Sequence, residues 1–237
     1  MKILYHYCST DTFFKILNSK EIWMSNIFNM NDYLEYIWLF EIIKKHKQSK
    51  FYDFVFKCFN EKMNNNFVFI SCFSEESDLL SQWRGYADDG KGFSIGFKKE
   101  MLKKIANLHK VTYSITDIPK EVEESLLSNK ENSKNWISNF KVEIEKYAPI
   151  TKNHKFSEEK EWRLIEIISK KDDLSTIKWR NSSDKIIPYI KKSFENELIS
   201  EIIIGPKNNT LIEDMQLFLN SLGLKDIKVI KSEISYG

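Results

Sequence analysis

The residues with the clearest capacity for chemistry lie between Phe156 and Ile168, in the run Phe-Ser-Glu-Glu-Lys-Glu-Trp-Arg-Leu-Ile-Glu-Ile-Ile. A polar opening passes into an apolar, β-branched segment, the pattern of a strand entering a core. Alternation along a strand puts Glu159, Glu161 and Arg163 on one face and Trp162 and Leu164 on the other. Charges beside a core require partners. The row therefore has two readings. In one, Arg163 pairs with a glutamate and secures a strand end. In the other, the row belongs to a functional site on which other stretches of the chain converge.

Two further stretches could converge on that row. Ser81-Gln82-Trp83-Arg84-Gly85-Tyr86-Ala87 leads to Gly92-Phe93-Ser94-Ile95-Gly96-Phe97. Trp83 and Tyr86, three apart, share a helix face. They either pack into the core or offer an aromatic surface to a planar ligand beside Arg84. His6 lies on an N-terminal strand, opposite in face to Tyr5 and Tyr7. His46, His109 and His154 fall in polar segments, and four scattered histidines make no metal site. Glu158-Glu159-Lys160 matches the acidic-x-lysine pattern of metal-dependent nucleases, with no upstream aspartate placed on a neighbouring strand.

Composition narrows the class. The chain has 237 residues, a net charge of +2, 14% aromatics and 30% charged residues. Such a chain folds, and its charge provides no general grip on nucleic acid. Cys8, Cys58 and Cys72 fit neither a zinc site nor a disulfide framework and imply free thiols in a reducing cytosol. The N-terminus reads as no signal peptide, and no apolar run reaches membrane length, so a cytoplasmic protein is expected.

The elements follow from pattern. Strands are expected at Lys2–Cys8, Ile22–Ser25, Phe67–Phe73, Phe93–Phe97, Val111–Ile115, Leu198–Gly205 and Ile227–Ile230. A further short strand should close at Ile186-Ile187-Pro188, followed by a helical turn over Tyr189–Phe194. Helices are expected after Ser9 or Thr10, over Tyr33–Lys45 with Asp32 as cap, and over Phe51–Lys62. Others should run from Ser77 or Asp78 through Trp83, over Lys98–Leu108 and Ile118–Tyr147, and from Asn209 or Thr210 through Leu222. Asp172–Asp184 reads as irregular. Short strands unevenly separated by helices favour an α+β fold in one domain, residues 1–237.

Taken together, Leu4-Tyr5-His6-Tyr7, Asn31-Asp32 with Glu35, Ser71-Cys72-Phe73-Ser74-Glu75, Trp83 with Tyr86, and Gly92–Phe97 resemble a bacterial family known as domain of unknown function 2971. Glu159-Lys160-Glu161-Trp162-Arg163, Pro188 and Ile203-Ile204-Gly205-Pro206 extend the resemblance. Tyr33 and Gly85 depart from it, where that family often has proline and histidine. The order histidine, aromatic, glutamate is also similar to the signature of ADP-ribosyltransferases. That resemblance implies a split, mainly antiparallel β core with flanking helices and NAD as substrate. It implies His6 on the NAD ribose, Tyr86 stacked on nicotinamide, Glu161 on the nicotinamide ribose and Glu159 orienting the acceptor. Trp83, Arg84 and Arg163 are further candidates for holding the dinucleotide. The acceptor would be protein or nucleic acid, in a toxin or phage-defence setting. The alternative is a non-catalytic nucleotide- or protein-binding module on the same fold, with a metal-dependent nuclease ranked last.

Overall fold

The computed structural model describes residues 2–30, 36–46, 53, 56, 57, 60, 65–114, 116–127, 136–182 and 185–236. Among them, β1 (Ile3–Cys8), α1 (Thr10–Ser19), β2 (Glu21–Asn26), α2 (Trp38–His46) and β3 (Asn66–Ser74) come first. Next are α3 (Leu80–Tyr86), β4 (Phe93–Lys98), the single turn α4 (Lys99–Leu102), β5 (Asn107–Lys110), β6 (Thr112–Ser114), α5 (Lys120–Leu127) and α6 (Trp136–Tyr147). The chain continues through β7 (Thr151–Asn153), a 3-10 segment (His154–Glu159), β8 (Glu161–Ser169), β9 (Lys178–Ser182) and β10 (Lys185–Ser193). It ends with β11 (Ile199–Ile204), α7 (Ile212–Ser221) and β12 (Lys228–Lys231).

Ten of these strands form one mainly antiparallel sheet, ordered β12-β11-β4-β1-β3-β2-β10-β9, with β8 and then β5 branching from β3. Only β11 and β12 run parallel within it. The sheet divides at β3. One edge of β3 pairs with β8 along its whole length, Asn66 to Ser74 against Ser169 to Glu161. On the remaining edge, Phe69 and Ile70 pair with β2 and Ser74 pairs with Tyr5 of β1. Ser71, Cys72 and Phe73 lie between those two contacts, where β1 and β2 part.

Period-two alternation on β3 and β8 builds a core on each face. Phe69, Phe73 and Leu164 join a cluster with Leu4, Phe97 and Ile202, covered by α1 and α7 through Leu17 and Leu219. Val68, Ile70 and Ile165 join another with Leu39, Phe40, Val122 and Phe140 of α2, α5 and α6. Ser9 caps α1 as expected, accepting from the Thr12 amide at 3.3 Å. Gly223, at φ +74°, provides the left-handed residue after α7.

Several expectations are corrected. The strand expected from Phe156 begins at Glu161, because Lys160 adopts a left-handed conformation that ends the 3-10 segment. Lys98–Leu108 gives one helical turn and then β5, since the edge of β8 takes up Asn107–Lys110. Lys178–Ser182 is a strand, and Lys185–Ser193 is one continuous strand through Pro188. Pro188 lies one residue beyond the segment that pairs with β2, where a missing amide is tolerated. Ser77 and Asp78 do not cap α3, which follows Leu79 without a side-chain cap. The Asp78 carboxylate instead accepts from Trp83 Nε1 and Ser232 Oγ, each at 2.6 Å, and from the Glu233 amide at 2.8 Å. Asn209 and Thr210 likewise leave α7 uncapped. Of the helix expected over Ile118–Tyr147, Lys120–Leu127 and Trp136–Tyr147 are helical as α5 and α6, and residues 128–135 lie outside the described residues. The Asp32 cap, Cys58 and most of the Phe51–Lys62 helix lie outside the described residues.

Candidate active site at the sheet division

Where β1 and β2 diverge, a cavity of about 560 Å³ opens, within the range of small-molecule sites. His6, Cys72, Tyr86, Glu159 and Glu161 line it together. Four of the sequence candidates, drawn from three separate stretches, thus meet in one cleft.

His6 comes from the middle of β1, and its Nδ1 lies 2.9 Å from the Cys72 carbonyl oxygen, across the division. Burial lowers the affinity of this imidazole for a second proton, and the Cys72 carbonyl opposes that only in part. A neutral ring facing a carbonyl must donate from Nδ1. Its Nε2 is then an acceptor, suited to a hydroxyl group.

Glu161 opens β8 and is buried. Arg163, two residues on and on the same face, is fully buried and grips it bidentately, Nε to Oε1 at 2.8 Å and Nη2 to Oε2 at 3.0 Å. Arg163 Nη1 donates to the Pro149 carbonyl at 2.6 Å. The Glu161 amide donates to Tyr113 Oη of β6 at 2.7 Å. Burial works against the charged carboxylate. Arg163 and then Lys152 outweigh it and hold the group well below the usual carboxylate range, with help from the Cys72 thiol. The ion-pair reading of Arg163 is therefore the one observed, and Arg163 does not line the cavity.

Glu159 reaches the site by another route. It closes the 3-10 segment rather than sharing a strand face with Glu161. Lys152 of β7 brings the two together, with Nζ 2.6 Å from Glu159 Oε2 and 3.1 Å from Glu161 Oε2. Lys152 is 3% exposed, so two carboxylates are matched by two buried cations. Sequence reasoning missed Lys152 and Tyr113. A lysine between Thr151 and Asn153 reads as an ordinary polar flank, and only the fold turns it inward.

Tyr86, at the end of α3, is 40% exposed and extends its hydroxyl to Glu159 Oε1 at 3.4 Å. Burial of the hydroxyl, then the Glu159 charge, raises its pKa, so it remains a donor at neutral pH. Trp83 is corrected. It is fully buried, edge-on to Tyr7 at 4.9 Å, and belongs to a core cluster with Ala87 and Ile203. Arg84 is exposed near the Tyr236 ring and outside the cavity. Of the helix pair, Tyr86 alone faces the cleft.

Among the described residues, no three of His, Cys, Asp and Glu are grouped to hold a metal ion, and no helix is long and apolar enough to cross a membrane.

Residues 82–164 match a family model described as "Protein of unknown function (DUF2971)". The DUF2971 match spans Trp83, Tyr86, the β4 motif, Glu159, Glu161 and Arg163, and so supports the resemblance there. His6, Pro188 and the Ile203–Pro206 motif lie outside it. No curated protein and no solved structure matches the chain.

Proposed function

We propose that the protein is an NAD-consuming, ADP-ribosyltransferase-like enzyme whose site is the cleft at the sheet division. The observation that carries this reading is that His6, Tyr86, Glu159 and Glu161 line one cavity. In the proposed reaction the bond between ribose C1′ and the nicotinamide nitrogen breaks. Its electron pair leaves with nicotinamide, which becomes neutral, and positive charge develops on the ribose ring. A nucleophile, from an acceptor or water, then bonds to C1′ and loses its proton. Glu161, held ionised, stabilises the charge that moves onto the ribose more than the uncharged ribose of the ground state, by accepting from a ribose hydroxyl. His6 Nε2 accepts from a second hydroxyl. The half-exposed Tyr86 ring provides the wall for nicotinamide, and Glu159 stands beside it for the acceptor.

One observation favours a second reading, a nucleotide-binding module without turnover. Both Glu161 oxygens already accept from Arg163 or Lys152, so a ribose hydroxyl must share an occupied carboxylate. Incubation with adenine-labelled NAD and cell lysate, followed by separation of free and transferred label, tests the proposal. Label leaving NAD with wild type and not with Glu161→Gln supports the enzyme. Calorimetric NAD binding with no label released by either supports the module. Neither binding nor release refutes both.

A further inference from the structure

The cleft has a second arm, formed by β2, β9 and the middle of β3, that the proposed chemistry leaves unused. Arg180 of β9 lines it and places Nη2 3.2 Å from Ser25 Oγ. Its Nε is buried without a protein partner. Ser71, 3% exposed and lining the same cavity, has an Oγ with no protein partner. Trp23 lines it as well, and its Nε1 is likewise buried and unmatched. Guanidinium and indole N–H groups can only donate, and a serine hydroxyl can do so. Three donors without a protein partner thus sit on residues that line one cavity, and an acceptor-rich group there would satisfy them.

Charge gives the group its sign. Lys185 lines the arm, and Lys15 stands there paired to Asp11 at 2.6 Å. The carboxylates Glu159 and Glu161 lie toward the other arm, where Lys152 and Arg163 match them. Ser25 pairs with Ile70 and Glu161 with Ser74, four residues apart on β3, or about 13 Å of strand. An anion bound at Arg180 is thus removed from the carboxylates, and a ligand touching both arms must be elongated.

We infer that Arg180, with Ser71, Trp23 and Lys185, forms a subsite for the phosphoanhydride of a nucleotide, Arg180 being its main anchor. This deepens the reading of the cleft as a nucleotide site, on which it rests. An arginine fork matches phosphate oxygens through charge-assisted bonds.

Calorimetry with ADP and with adenosine as probes tests it. Wild type is expected to bind ADP more tightly than adenosine, with the difference shrinking as salt rises. Arg180→Gln should weaken ADP binding by roughly tenfold or more and leave adenosine unchanged. Lys185→Gln, on an exposed residue, should weaken ADP binding by a smaller factor and provides a folded comparison if Arg180→Gln melts early. ADP bound no better than adenosine, or bound equally by wild type and both variants, overturns the subsite. NAD turnover separates this from the transferase proposal. Turnover whose KM ignores Arg180→Gln sinks the subsite alone, whereas Arg180-dependent ADP binding without turnover sinks the transferase alone.

Discussion

Replacing Lys152 with methionine removes the cation that joins the two carboxylates while keeping the length of the side chain. Lys152 is 3% exposed and donates to Glu159 at 2.6 Å and to Glu161 at 3.1 Å. Glu161 keeps its bidentate bond to Arg163, so the carboxylate left in excess is that of Glu159, itself buried. Breaking a buried pair by removing one partner typically costs about 3–5 kcal/mol. With a urea slope of about 2 kcal/mol/M, the unfolding midpoint should fall by about 1.5–2.5 M with no change in slope. The double variant Lys152→Met with Glu159→Gln removes the excess charge as well. It should regain most of the loss, because neutralising both partners is far less costly than stranding one. Urea unfolding of wild type, both single variants and the double variant gives the coupling directly. A loss under 1 kcal/mol for Lys152→Met, or no recovery in the double variant, would refute the idea that Lys152 organises the carboxylates.

Other consequences follow from the same geometry. Glu75, bonded by Lys2, Trp162 and Lys110, has its carboxyl lowered from 4.5 to about 2 despite its burial. Its contribution to stability is present above the unfolded value and lost as pH falls toward the folded one. Urea midpoints should therefore decline between pH 4.5 and 2, and less steeply in Glu75→Gln. Gly92→Ala should severely destabilise or prevent folding, since a Cβ there would lie 2.0 Å from the Cys8 carbonyl oxygen; a soluble variant melting with wild type would contradict this. Gly85→Ala, with nothing within 4 Å of the added methyl, should raise stability by up to about 1 kcal/mol in thermal melts. Trp83→Ala should cost about 3–5 kcal/mol as a core deletion, whereas Tyr86→Ala should change unfolding little and weaken NAD binding in calorimetry.

Where local pattern and tertiary demand agreed, the fold was legible in the sequence. The runs Lys2–Cys8, Phe67–Phe73 and Phe93–Phe97 are strands because their apolar residues satisfy both faces of a central sheet. The α+β class followed from them. Lys178–Ser182 and Tyr189–Phe194 were misread because pairing with β2 and between β9 and β10, rather than composition, makes them extended. Asn107–Lys110 was likewise drawn from helix to strand by the edge of β8.

The site was legible in part for a related reason. His6, Tyr86, Glu159 and Glu161 are chemically conspicuous, and the topology brings them to one cleft. Lys152 and Arg180 are conspicuous only by position, one turned inward by β7 and the other lined up beside Ser25 from a strand that composition did not disclose. Trp83 was overvalued because helical spacing alone does not say which of two aromatics faces the core.

The central claim is tested most directly by measuring nicotinamide released from NAD by purified protein, with Glu161→Gln measured alongside and its fold checked by melting. The expected result is steady release by wild type and none by the folded variant. Equal release by both would remove Glu161 from the chemistry, and no release by wild type at any NAD concentration that it binds would contradict the enzyme itself.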